Sequence, residues 1–428
     1  MNIIYKELKI LFSSKILSLL IAILSQILLT WKLGAADFGS YAICYIFFSL
    51  LSIFFVNGYS FAITYFLSSR YITLSESFIY VFIFGSVSSL FAIFIGFLLL
   101  KNQINFFYKF GYSELYISLL IIPFIFLSNT FAQLFSSIQN FKLYRYLILI
   151  QSLLQFLFLI LFVFIFKMGV KGALLSLIFA SLFVICVEIF QFKKEYTFKF
   201  VVIKKKIVLK ILKYYLSYYL GYVSNSVNHY LGTFMVSLFL NKESVGIYSL
   251  ANQLISRSII IPDTIYTMIF PKVSLSKNGN AKLIAQTSRY LVLISFFFMV
   301  LIYFLSEPFI NLFFSSEFSG AIILIKILTI GFFVRFITKI FVPYYLGVNL
   351  PSVPAIISFF GLLVNFFAII LLIPEYGLIG AVIASVLGYV LSSFLISILF
   401  IKQSKLKFKD CFILNKNDLL ILKKILLS

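Results

Sequence analysis

Twelve apolar runs of about 20 residues or more divide this chain, and no other feature restricts its fold as strongly. They lie near 12–31, 41–66, 77–100, 114–138, 146–166, 170–192, 214–240, 246–270, 286–313, 320–346, 353–373 and 377–401. Inside lipid every backbone N–H and C=O must be satisfied by the protein itself, so runs of this kind are helices or parts of a closed barrel. The period-two alternation of barrel strands is absent. The expected fold is an all-α polytopic membrane protein with about 12 transmembrane helices. Lys6, Lys9 and Lys15 give the first run the charge of a signal peptide. Eleven further runs follow it, so it reads as a retained first span.

Composition supports that class. The chain is 62% hydrophobic and 11% charged, whereas a soluble chain averages about 45–50% and 25%. Its 428 residues would suggest two or three soluble domains, but the apolar runs call for one membrane bundle. Cys44, Cys186 and Cys411 are scattered and odd in number, which fits neither a disulfide framework nor a zinc site. His229 is the single histidine, which excludes a multi-histidine metal centre. Phosphate-binding glycine loops and nucleophile elbows are missing. No enzyme activity, cofactor or metal is expected.

Charge placement sets the orientation. With the N-terminus assigned to the cytoplasm, 25 of the 35 Lys and Arg fall in loops on that side. Six fall on the other side, and Arg257, Lys326, Arg335 and Lys339 lie within spans. This positive-inside bias predicts a multi-pass protein of the cytoplasmic (inner) membrane with both termini cytoplasmic. It also accounts for most of the +22 net charge without a nucleic-acid partner. The basic loop at 193–213 and the tail after Lys402 are expected to lie along anionic membrane lipids.

The chain also repeats itself. Leu33, Gly39 and Tyr41 match Leu240, Gly246 and Tyr248 at a spacing of 207 residues. Gly169, Gly172 and Ala173 match Gly377, Gly380 and Ala381 at 208. The glycines serve tight turns or close helix approach. The repeat predicts two pseudo-symmetric six-helix lobes in parallel orientation. The N-terminal lobe takes 1–195 and a basic linker 196–213; the C-terminal lobe takes 214–401 and a basic tail 402–428. Parallel halves are a transporter architecture, with substrate between them near the midplane.

Together with the two-lobe layout, the stretch Leu33-Gly34-x-x-x-Phe38-Gly39-x-Tyr41 resembles the Wzx-type polysaccharide flippases of the multidrug/oligosaccharidyl-lipid/polysaccharide exporter superfamily. The resemblance covers the whole chain in layout. It implies two lobes rocking about a central cavity without ATP, and a polyprenyl-diphosphate-linked oligosaccharide as substrate. It also implies a place in O-antigen, lipopolysaccharide or capsule assembly, beside glycosyltransferases and a polysaccharide polymerase.

Ionisable residues within spans are costly and mark function by default. Arg257 shares a helix face with Ser249 and Gln253. It reads as a cavity cation, or else as half of a buried ion pair. Arg335 and Lys339 share a face one turn apart and read the same way. Lys326 lies on the opposite face and is expected to snorkel to headgroups rather than line the cavity. A guanidinium matches phosphate geometry and keeps its proton, so deep cations suit a diphosphate headgroup. Three polar stripes are candidates for sugar contact: Tyr218, Tyr222, Asn225 and His229; Asn129, Gln133, Ser136 and Asn140; and Asn57, Ser60 and Thr64. Each serves equally as interhelical hydrogen bonding. Asp263, after Pro262, and His229 are candidates for ion coupling. Glu188 is expected at the interface.

Three other readings compete. A multidrug or cation antiporter of the same superfamily would need deep acids, but here deep cations outnumber Asp263. A glycan polymerase would need a large outer loop or clustered acids. A structural membrane protein would need neither the repeat nor the cations.

Overall fold

The helical pattern does not stop where the first two apolar runs meet: α1 (Asn2–Phe55) turns a corner at Gly34, φ 69° and ψ 179°, and continues at once as helix. Only a residue without Cβ adopts such a conformation cheaply. The structure, a computed structural model, describes residues 2–101, 111–195, 204–260, 280–348 and 352–415, isolated positions between 262 and 273, Leu350 and Asp418. Among these residues the regular elements are helices, with no strand. Among the described residues seven helices are long and apolar enough to cross a membrane. Two of the seven, α1 and the long α12 below, are each two helices joined at a one-residue corner, Gly34 and Gly377, and so take in the first run with part of the second and the last two runs.

Contacts divide the chain into two compact units, Met1–Ser249 and Leu250–Ser428. The division falls beyond the linker expected at 196–213, of which residues 196–203 lie outside the described residues. In the first unit α1 is followed by α2 (Gly58–Ser68), α3 (Leu74–Lys101), α4 (Tyr112–Ser137) and α5 (Phe141–Leu159). A π-helical turn at Ile160–Ile165 extends α5 before α6 (Gly169–Glu195) and α7 (Lys205–Phe239). α8 (Lys242–Arg257) begins in this unit.

Local chemistry sets several starts. Thr73 and Glu76 form a reciprocal cap on α3: the Thr73 amide donates to Glu76 Oε2 at 2.7 Å, and the Glu76 amide donates to Thr73 Oγ1 at 3.2 Å. Asn140 caps α5 by accepting from the Leu143 amide at 3.1 Å. Phe78 of α3 lies 4.5 Å from the Phe131 ring of α4 and 4.1 Å from Phe192 of α6, which draws three helices together.

The second unit contains α9 (Ala281–Phe313), α10 (Ala321–Lys339), α11 (Val342–Gly347), α12 (Ser352–Ser404) and α13 (Phe408–Phe412). α12 bends at Gly377, φ 54° and ψ −130°. Its core gathers Ile284, Leu291, Phe341, Tyr345, Phe400 and Cys411. The rings of Phe341 and Phe400 stack at 4.5 Å. Asp418 is tied into this unit by Arg289, whose Nε and Nη2 donate to its two carboxylate oxygens at 2.5 and 3.0 Å. Part of the basic tail is thus pinned to the protein through a buried, bidentate pair.

The repeat appears in the backbone. Gly169 and Gly377 share a positive φ, 56° and 54°. Gly172 and Gly380, three residues later, each press on a backbone carbonyl of the preceding helix, Phe162 and Leu372. Gly39 and Gly246 meet each other within the first unit.

Candidate substrate-handling residues

Helix breaks place the candidate cations. The expected span at 246–270 is interrupted by a turn at Ser258–Ile259, and Arg257 is the last residue of α8 before it. The expected span at 320–346 is interrupted at Ile340–Phe341, with Arg335 and Lys339 in the last turns of α10. A third break, at Val56–Asn57, separates α1 from α2 and carries Asn57. The terminal carbonyls of a helix favour cations, so α8 and α10 each place positive side chains where backbone oxygens are left over.

In the second unit Arg335 is half-buried, with its guanidinium carbon 4.8 Å from the Tyr389 ring and 5.6 Å from Phe332. Both lie within cation–π reach. Lys339 forms an ion pair with Asp263, so the candidate coupling acid and a candidate cation meet. Lys326 pairs with Glu307 at 3.0 Å and lies 5.5 Å from the Tyr303 ring. Glu307 is more than half exposed, so this pair sits at the protein surface. Arg257 and Gln253 are half-buried on one face of α8, while Ser249, on the same stripe, is buried and belongs to the first unit.

In the first unit α7 lies against α1 and α2. Tyr59 stacks on Tyr215 at 4.3 Å and Tyr65 on Tyr214 at 4.4 Å, while Phe61 meets Tyr222 at 5.3 Å. The Tyr222 hydroxyl is in hydrogen-bonding contact with Asn57 and Ser226. Two stripes expected separately are therefore joined by Asn57 and Tyr222. Tyr219 donates to the Phe54 carbonyl at 3.0 Å. His229 is half-buried beside the Tyr230 ring at 5.0 Å, and Asn225 is exposed. The side chain of Tyr218 lies outside the described residues. On α4 Asn129 is exposed and Gln133 half-buried, while Asn140 is spent on the α5 cap.

Glu188 is 0% exposed, packed between helices of the first unit. Among the described residues no cation pairs with it. The amide of Gln26 is also buried in this unit. Two groups escaped the sequence reading. Tyr389, which sits over Arg335, is one tyrosine among 27. The burial of Glu188 is the other: it was visible as an acid near the end of an apolar run, but the sequence does not record which helices enclose it. No group of three or more metal-binding side chains occurs among the described residues.

Comparison with known proteins follows this geometry. Residues 4–274 match the family model described as "Polysaccharide biosynthesis protein". An uncharacterized membrane protein of Methanocaldococcus jannaschii is 24% identical over 403 residues, covering 86% of this chain and 78% of that protein. A MOP superfamily transporter from Pyrococcus furiosus superposes with a TM-score of 0.70 at 13% identity, covering 94% of this chain and 96% of its own. The lipid II flippase MurJ, in an inward closed conformation, superposes with a TM-score of 0.64 at 20% identity, covering 96% and 92%. These likenesses show a shared fold: an all-helical, multi-pass membrane protein built as the MOP superfamily transporters are.

Proposed function

The chain belongs to the polysaccharide biosynthesis protein family, and from that premise we propose that it is a flippase for polyprenyl-diphosphate-linked oligosaccharides. It moves repeat units across the cytoplasmic membrane for surface polysaccharide assembly, by alternating access and without acting as an enzyme. Both termini face the cytoplasm. The observation that carries this reading is the sign of the charge at the helix breaks. Arg257 and Arg335 stand at the ends of α8 and α10, while the acid of that unit's breaks, Asp263, is matched by Lys339. A surplus of guanidinium suits a diphosphate. It opposes a cationic drug, the cargo of the competing antiporter reading.

The roles follow from chemistry. Arg335, steadied by Tyr389, and Arg257 bind the diphosphate. The polar group around Asn57, Tyr222, Asn225 and His229 replaces sugar hydration, and Asn129, Gln133 and Gln253 serve the same purpose.

Deleting the gene tests the proposal. Lipid-linked repeat units are expected to accumulate on the cytoplasmic leaflet while surface glycan is lost. Arg257→Ala and Arg335→Ala each remove a charge-assisted hydrogen bond worth about 1.5–3 kcal/mol, so transport is expected to fall about 10- to 100-fold in well-folded protein. Normal glycan in a null strain without a second flippase overturns the reading. Normal glycan with new sensitivity to cationic dyes favours the antiporter.

A further inference from the structure

A cavity of about 620 Å³ opens in the first unit between the start of α1, the start of α5 and the end of α6. That volume lies within the range of about 300–1,000 Å³ typical of ligand clefts. Ser14 and Leu17 line it from α1, Lys142, Arg145 and Leu149 from α5, and Gln191 from α6. Its inner end is fixed by the hydrogen bond between the hydroxyls of Ser18 and Ser152, which holds α1 to α5 about one turn further along.

Charge and apolar surface are segregated around this opening. Among the described residues Lys142 and Arg145 are its charged lining residues, no carboxylate lines it, and neither cation pairs with one. The positive end of α5 lies at the same place. Lys15, Lys193 and Lys194 follow closely on α1 and α6. From the cavity an exposed apolar track runs along each neighbouring helix: Leu17, Leu20 and Leu24 on α1, and Tyr146, Leu153 and Leu157 on α5. These spacings keep each track on one helix face.

We propose that this cavity binds the headgroup of an anionic phospholipid from the leaflet on the N-terminal side. The phosphate and a second anionic or hydroxylated group meet Lys142 and Arg145, and the two acyl chains follow the leucine tracks. A basic pocket between membrane helices is a recognised form of lipid site. The double track selects a two-chain lipid over a soluble phosphate. This inference concerns residues outside the proposed transport path and stands apart from the flippase reading.

The test uses the full chain purified in detergent and native mass spectrometry with added phosphatidylglycerol, phosphatidylcholine or inorganic phosphate. Wild type is expected to retain phosphatidylglycerol and to be stabilised thermally by it, with little effect of the other two. The double variant Lys142→Gln/Arg145→Gln is expected to bind phosphatidylglycerol about 30-fold more weakly. That is about 2 kcal/mol, at roughly 1 kcal/mol per basic side chain near anionic lipid. Leu149→Trp, which fills the cavity and leaves every charge in place, is expected to weaken binding as well. Lys193→Gln/Lys194→Gln, at the same end of α6 but outside the residues that line the cavity, is expected to bind as wild type does. Equal retention of phosphatidylcholine overturns the proposal, and so does equal stabilisation by inorganic phosphate. It is also overturned if the Lys193/Lys194 variant loses as much binding as the Lys142/Arg145 variant, or if Leu149→Trp binds normally.

Discussion

Gly39 and Gly246, counterparts in the internal repeat, touch each other through their backbones. A Cβ on Gly39 would stand 1.9 Å from the Lys242 carbonyl oxygen and 3.0 Å from the Gly246 nitrogen. A Cβ on Gly246 would stand 2.1 Å from the Ala35 carbonyl oxygen and 3.2 Å from the Gly39 nitrogen. The obstructing atoms are main chain and cannot rotate aside. Small residues that let helices approach this closely are a common device in membrane proteins. Here the two helices use the same residue reciprocally.

Gly39→Ala and Gly246→Ala are each expected to force α1 and α8 apart. The cost is about 1–3 kcal/mol, the usual range for overpacking, read as a lowered unfolding temperature of detergent-solubilised protein. The double variant is expected to lose less than the sum, because one separation relieves both clashes. Strict additivity would mean that the two glycines are not in contact.

Tyr389 places its ring beside the Arg335 guanidinium. The ring contact at 4.8 Å is worth about 0.5–2 kcal/mol. Tyr389→Leu is therefore expected to reduce transport several-fold while leaving expression unchanged, and Tyr389→Phe, which keeps the ring face, to retain most of it. If Tyr389→Leu transports normally, the ring has no part in holding the guanidinium.

The tail contact responds to acid. Two charge-assisted hydrogen bonds from Arg289 hold the Asp418 carboxyl below the usual carboxylate range. A depressed acid contributes stability that is full above its ordinary pKa of about 3.9 and is lost as pH falls through the lower folded value. Limited proteolysis of the tail by an acid-tolerant protease is expected to stay slow down to about pH 4 and to accelerate below it. Asp418→Asn is expected to show the fast rate at neutral pH. Removing one partner of a buried pair costs on the order of 3–5 kcal/mol.

Glu188 separates burial from charge. Enclosed by the first unit and unpaired with any described cation, a carboxylate there has lost its water without a counter-ion. Glu188→Gln keeps the shape and is expected to leave the stability within about 0.5 kcal/mol of wild type or above it, read from the unfolding temperature. Glu188→Lys is expected to abolish folded protein in the membrane fraction. A well-expressed lysine variant would mean that the site opens to water.

Much of this architecture was legible from residue spacing. Apolar runs of span length fixed the class, and the glycine correspondences located features that recur in the backbone at Gly169 and Gly377. What spacing could not convey was how short the joins are. A gap such as 32–40 reads as a loop because Gly34 and Asp37 interrupt the apolar run, yet two helices meet there at one non-helical residue, Gly34. The breaks after Arg257 and Lys339 were hidden for the opposite reason: hydropathy stays high across a point where hydrogen bonding changes. Lys326, near the start of its span, pairs with the exposed Glu307. Arg335 could not be assigned a partner, since Tyr389 lies on another helix and nothing in the intervening sequence records the meeting. The Asp418 contact was likewise invisible, because the tail around it is basic and reads as a free charged extension.

The bends at Gly34 and Gly377 make each of α1 and α12 a cranked lever rather than two rods on a string. A flexible loop has slack, and one arm can shift while the other stays at rest. At a corner of one residue the slack is two dihedral angles, and at both corners φ is positive, where glycine is favoured. A displacement of one arm of α1 is therefore delivered as torque to the other.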